Sequence, residues 1–176
     1  MKKVLSLFAC MMLLFGVQGC SLFSDDDSSD TPKASEKKDK VYSDNGMKIT
    51  IPSDFYKKDI ASLTNYYESE EAIVTALKQG FKELDGTDLS SKSSLEDYAK
   101  AVLSTNKLDS KLYTSDNNKY IYFTYEKEVS GKDFYYMGVV YKTEDAFWLL
   151  NFACNKKDKS DYSDTFIKWA NTVEFE

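Results

Sequence analysis

The folded part of the chain opens on a period-two pattern: Met47, Ile49 and Ile51 alternate with Lys48 and Thr50, which predicts a half-buried strand ending at Pro52. Asp44-Asn45-Gly46 joins it to Val41-Tyr42-Ser43, and Asn-Gly between β-prone runs predicts a hairpin because both residues tolerate positive φ. Ala72–Phe81 carries two signals at once. Ile73, Leu77 and Phe81 stand at helical spacing, while Ile73-Val74-Thr75 is β-prone. The period then becomes clearly helical. Leu95, Tyr98, Ala99, Val102 and Leu103 form one stripe, with Ser94 as N-cap and Asp97 as its capping-box partner, so a helix is expected to about Thr105. A meander follows. Lys111–Thr114, Lys119–Val129, Phe134–Lys142 and Ala146–Cys154 are separated by turns at Asp116–Asn118, Ser130–Asp133 and Thr143–Asp145, connections short enough to demand antiparallel neighbours. Aromatic residues on both parities, as in Tyr120, Tyr122, Phe123 and Tyr125, predict a sheet covered on both faces. The nearly continuous apolar run Phe147–Leu150 predicts a central strand. Tyr162, Phe166, Trp169, Ala170 and Val173 give a last helix over Asp161–Thr172, with Val173–Phe175 as a short extended piece.

The first twenty residues follow neither period. Two lysines precede an apolar run from Val4 to Val17, too short to span a membrane, as in an export signal. The ending Val17-Gln18-Gly19-Cys20 resembles a bacterial lipobox, with cleavage between Gly19 and Cys20 and a lipid on the Cys20 sulfur. The resemblance implies a diacylglycerol anchor, often with a further acyl chain on the amine. More than one chain is what stable anchoring needs. Residues 20–40 are rich in Ser, Asp and Lys and cannot bury enough apolar surface to fold, so they read as the lipidated cysteine and a disordered tether. Such a tether spans roughly 25 Å on average and about 70 Å at most. Its run Asp25-Asp26-Asp27 has no calcium-loop spacing and reads as a solvated spacer. Residues 1–19 are then the signal, 20–40 the tether and 41–176 a single domain.

Charge and composition narrow the chemistry. Without Lys2 and Lys3 the formal charge falls from −6 to −8, which disfavours nucleic acid as a partner. The chain has no histidine and no arginine, so Ser-His-Asp triads, Cys-His dyads, His-ligated zinc and bidentate guanidinium clamps are excluded. No metal site and no cofactor are expected. With Cys10 lost in the signal and Cys20 acylated, Cys154 has no disulfide partner and reads as a buried thiol.

The order hairpin, variable stretch, helix, antiparallel meander, C-terminal helix resembles the Mog1/PsbP-like family. The likeness rests on Asn45-Gly46-Met47-Lys48-Ile49-Thr50-Ile51-Pro52, on Ser94-Leu95-Glu96-Asp97-Tyr98-Ala99, and on Phe147–Cys154 followed by Tyr162, Phe166 and Trp169. It looks most like small lipoproteins of this group from low-GC Gram-positive bacteria. The resemblance implies an α+β fold, with an antiparallel sheet of about six strands covered by helices. It favours a strand over Ala72–Phe81 and matches residues 53–92 poorly. The family shares no catalytic residues, and its characterised members bind other proteins.

Three functions fit these residues. The first is a non-catalytic protein-binding or accessory module held on the extracytoplasmic face of the cell membrane, with a protein partner. The Tyr66-Tyr67 pair, in an apparently irregular stretch, is then the expected exposed aromatic contact. The second is a small-molecule or lipid carrier with a pocket between sheet and helices, lined by residues such as Tyr98 and Val102. The third is an enzyme using Glu126 with Glu128, although two carboxylates this close to a turn read as solvated charges.

Overall fold

The computed structural model describes residues 38–176, and the expected signal, cleavage point and lipid site at Gly19 and Cys20 lie outside them. The hairpin forms as its sequence dictates. Strands β1 (Asp39–Asp44) and β2 (Met47–Pro52) flank Asn45 (φ 49°) and Gly46 (φ 80°), the two positive φ values of a type I′ turn. Two short strands, β3 (Tyr56–Lys57) and β4 (Asn65–Glu68), occupy the stretch the sequence left irregular. The ambiguous segment is a strand, β5 (Ala72–Gly80), followed by a 3₁₀ turn at Phe81–Leu84. Helix α1 (Leu95–Asn106) starts with the expected capping box. Ser94 Oγ accepts from the Asp97 N–H (3.1 Å), and the Ser94 N–H donates to Asp97 Oδ2 (2.8 Å).

The meander comprises β6 (Tyr113–Thr114), β7 (Ile121–Val129), β8 (Lys132–Lys142) and β9 (Ala146–Asn155). Its middle turn is tighter than the sequence suggests. Ser130 (φ 53°) and Gly131 (φ 80°) alone reverse the chain, leaving Lys132 and Asp133 in the ladder opposite Val129 and Glu128. Helix α2 (Lys159–Asn171) begins two residues earlier than expected because a 3₁₀ turn, Lys156–Asp158, leads into it. Strand β10 (Glu174–Phe175) ends the chain.

Among the described residues the strands form two antiparallel sheets, one more than the sequence suggests. The larger has seven strands in the order β3-β4-β5-β9-β8-β7-β6, so β9 is central. The smaller, β1-β2-β10, lies on one of its faces. There Met47, Ile49 and Ile51 of β2 and Phe166, Trp169 and Ala170 of α2 pack on Val74, Leu150 and Phe152. On the opposite face Tyr98, Ala99 and Val102 of α1, with Leu84 and Leu89, pack on Phe123, Val140, Phe147 and Leu149. The sheet is thus sandwiched, as its doubled aromatic parity requires.

Candidate functional site

Polar side chains gather at one place in the core, on the face that α1 covers. Pairing directly opposite places Tyr56, Glu68, Ile73, Ala153, Tyr136 and Tyr125 in one row across six strands. The next row holds Tyr66, Thr75, Asn151, Gly138 and Phe123. The two rows bring four tyrosines of the main sheet beside a buried carboxylate, a threonine and an asparagine.

Glu68 is the anchor of this cluster, its side chain 1% exposed. Its carboxylate accepts from Tyr66 Oη (2.6 Å) and Tyr56 Oη, and pairs with Lys58 Nζ. The Lys58 ammonium also lies 5.2 Å from the Tyr56 ring centroid. Burial pushes the Glu68 carboxyl up, but Lys58 and the two tyrosines outweigh it and hold the group below its ordinary value. Tyr125 and Tyr136 stack with centroids 4.7 Å apart and ring planes 2° from parallel, and the Tyr125 hydroxyl reaches Asn151 Oδ1 at 3.4 Å. Burial raises the phenols of Tyr66, Tyr125 and Tyr136 well above their ordinary value, so they stay protonated at neutral pH. Tyr66, Thr75, Tyr125, Tyr136 and Asn151 each keep 5–9% of their surface in solvent, so water reaches the rim of the cluster but not its carboxylate.

This geometry suits recognition rather than proton transfer. Glu68 is ionised with donors already on its oxygens, and the tyrosines offer protonated hydroxyls and aromatic faces. The outermost member, Tyr56, is 49% exposed while its hydroxyl is fixed on Glu68, so a rigid aromatic ring is presented at the sheet edge.

Tyr66 and Tyr67 are not the exposed pair the sequence suggested. They lie in β4, 7% and 1% exposed, one on each face of the sheet. Both faces there are covered, so an aromatic doublet in a strand buries both rings. Burial raises the Tyr67 phenol to about 12, its hydroxyl lacks a partner, and its ring meets Tyr42 at 5.3 Å. Among the described residues the exposed aromatics are Tyr56 and Tyr113, on the short outer strands at opposite edges of the sheet; Tyr113 stacks on Tyr122 with centroids 5.2 Å apart. Each is followed by two polar residues, Lys57-Lys58 and Thr114-Ser115, the signal that could have found them.

The other expected positions are placed as follows. Glu126 is held below its ordinary value by Lys159 and Lys156, both 3.0 Å away. Glu128 is exposed opposite Asp133, near the β7–β8 turn. Tyr98 and Val102 are packed: Tyr98 lies flat on Phe147 (4.4 Å, 8°) and donates to Gln79 Oε1. Cys154 is buried, and its burial, followed by the charges of Asp158 and Asp161, pushes the thiol up to about 12. Among the described residues no group of His, Cys, Asp and Glu could hold a metal ion, and no helix is long and apolar enough to cross a membrane.

No protein-family profile and no curated protein matches the chain. Solved structures do. The solution structure of cyanobacterial PsbP (CyanoP) from Synechocystis sp. PCC 6803 superposes with a TM-score of 0.52 at 9% identity, covering 84% of this chain and 98% of that one. The fold is PsbP-like. At that identity the likeness concerns the fold alone. A Bacteroides thetaiotaomicron protein (TM-score 0.49, 12% identity) covers 74% of this chain, which spans 45% of its length. The Pseudomonas aeruginosa protein of unknown function PA94, described as a putative regulator, has a TM-score of 0.44 at 11% identity, covering 78% of this chain and 97% of that one.

Proposed function

We propose that this protein is a lipoprotein whose PsbP-like domain serves as a non-catalytic, protein-binding accessory module on the extracytoplasmic face of the cell membrane. The observation that carries the reading is the apolar run Val4–Val17 closed by Val17-Gln18-Gly19-Cys20 behind two lysines. The Ser/Asp/Lys-rich stretch after Cys20 supports it as a spacer between lipid and domain. The polar cluster supports a binding role, with Glu68 saturated by donors and Tyr56 presented at the edge. The packing of Tyr98 and Val102 against the sheet favours the module over a carrier with a pocket there.

The test is metabolic labelling with a palmitate analogue in a bacterial host, followed by membrane fractionation of the wild type and Cys20→Ala. The wild type should carry label and sediment with membranes. The variant should lose the label and either leave the membrane or stay unprocessed, with the domain's melting temperature unchanged. An unlabelled wild type with an intact N-terminus in the cytosol overturns the proposal.

A further inference from the structure

Two of the sheet edges among the described residues run along long strands, β7 and β1, and their charges differ. The outer side of β7 pairs with β6 only at Ile121 and Tyr122. Beyond that pairing it carries Glu126, Lys127 and Glu128. Two copies meeting antiparallel about an axis at Glu126, Lys127 or Glu128 would set Glu126 against Glu128, or one of these residues against itself. Like charges directly opposite are destabilising, so this edge is protected against self-pairing.

The outer edge of the small sheet lacks that protection. Strand β1 is its outermost strand and holds an unbroken register with β2 over six residues, with no proline and no bulge. The carbonyl of Lys38 accepts from the Ser53 N–H (2.8 Å). In an antiparallel ladder bonded and non-bonded pairs alternate, so Lys40, Tyr42 and Asp44 turn their backbone groups towards β2. Asp39, Val41 and Ser43 turn theirs outward. Thr50, opposite Val41, obeys the same alternation on the far side of β2. Its N–H donates to Thr172 Oγ1 (3.0 Å), and its carbonyl accepts from the Thr172 hydroxyl (3.3 Å). The Val41 side chain is 61% exposed, the most of any large hydrophobic residue described.

We propose that β1 pairs antiparallel with β1 of a second copy about a two-fold axis at Val41, fusing the two small sheets into one. In this register Val41 faces Val41, Asp39 faces Ser43 and Lys40 faces Tyr42. Each outward residue exchanges its N–H and C=O with the residue opposite. The side chains agree with the backbone. No like charges meet, the serine hydroxyl can donate to the aspartate carboxylate, and the ammonium lies beside a tyrosine ring. Lys40 already makes that last contact within one chain, its Nζ 4.7 Å from the Tyr42 centroid. Among the three outward-facing residues, charge and geometry also select the axis. Centring on Asp39 would oppose two carboxylates, and centring on Ser43 would run into the Asn45-Gly46 turn. The pairing is isologous, so it closes at two copies, and it does not depend on the lipid anchor.

The experiment uses the full chain in detergent micelles. Its mass is followed by analytical ultracentrifugation across a concentration series, and backbone amide exchange by NMR. The expected result is a monomer–dimer equilibrium in which the amides of Asp39, Val41 and Ser43 exchange more slowly as concentration rises. Val41→Lys places two ammonium groups opposite each other and should weaken the dimer by about tenfold or more. Because the side chain points into solvent, the monomer's melting temperature should not move. A monomeric mass at every concentration overturns the proposal, as does a dimer that Val41→Lys leaves intact or whose formation does not slow exchange at those amides.

Discussion

The side of β9 that carries Trp148, Leu150 and Phe152 is closed by the two ends of the domain. The side that carries Phe147, Leu149 and Asn151 is closed by its middle. On the first side β2, α2 and β10 come together from opposite ends of the described sequence. The packing is dense in rings: Trp169 meets Phe55 edge-on at 5.4 Å and lies 5.6 Å from Phe166, and Phe175 lies 4.8 Å from Trp148. The polar groups there are mostly tyrosine hydroxyls bonded to carbonyls, as Tyr141 is to Ala170, and Trp148 Nε1 and the Tyr67 hydroxyl are buried without partners. On the second side α1 and the segment before it cover the sheet from nearby in sequence. That side includes Glu68, Thr75, Gln79 and Asn151 among its buried groups, bonded in part to tyrosine hydroxyls. The first face holds the domain together by apolar burial, whereas the second spends part of its area on fixed polar geometry. That division is why the candidate site lies on the second face.

The comparison can be broken hardest at Trp169. Trp169→Ala removes a ring that joins α2 to the sheet and to Phe55, and should cost about 3–5 kcal/mol in chemical denaturation. A loss below about 1 kcal/mol would mean that α2 contributes little to that face. Next comes the opposite face, where Phe123 fills the space over Gly138. A Cβ on Gly138 would lie 2.4 Å from the Phe123 ring, so Gly138→Ala should cost about 1–3 kcal/mol by overpacking. Combining it with Phe123→Leu should return part of that loss. A double variant whose costs simply add would show that the ring and the missing side chain are uncoupled.

The smallest effect is the one that sharpens the contrast. Glu68 is held below its ordinary value, so its contribution is complete above that value and disappears as pH falls through the folded one. Glu68→Gln should cost about 1 kcal/mol at neutral pH. Below about pH 4.5, the ordinary glutamate value, the wild type should lose stability faster than the variant, so the two curves converge. Parallel curves from pH 7 to pH 3 would remove Glu68 from the list of groups that fix the polar cluster.

Much of the framework could be read locally. The Asn45-Gly46 turn, the Ser94–Asp97 cap and the three-strand run from Ile121 to Asn155 depend on neighbours within a few residues, and such signals survive folding intact. The site could not be read this way. Tyr56, Tyr66, Glu68, Thr75, Tyr125 and Asn151 are scattered over almost a hundred positions, and only the pairing of β3, β4, β5, β9, β8 and β7 brings them together. The exposure of Tyr66 and Tyr67 was misread for the same reason. A polar stretch with two rings looks like surface until β5 and Tyr42 are placed against it.

The sequence alone determined the periodicities, the turns and the helix cap, because each follows from the conformational preference or transfer energy of adjacent residues. It also set the chemical repertoire, since a chain without histidine or arginine cannot assemble their sites. The tertiary structure decided which strands became neighbours, that the hairpin left the main sheet to form a second one with β10, and which tyrosines face solvent. Those outcomes depend on contacts between segments far apart in the chain, whose energies exist only once the layers have closed.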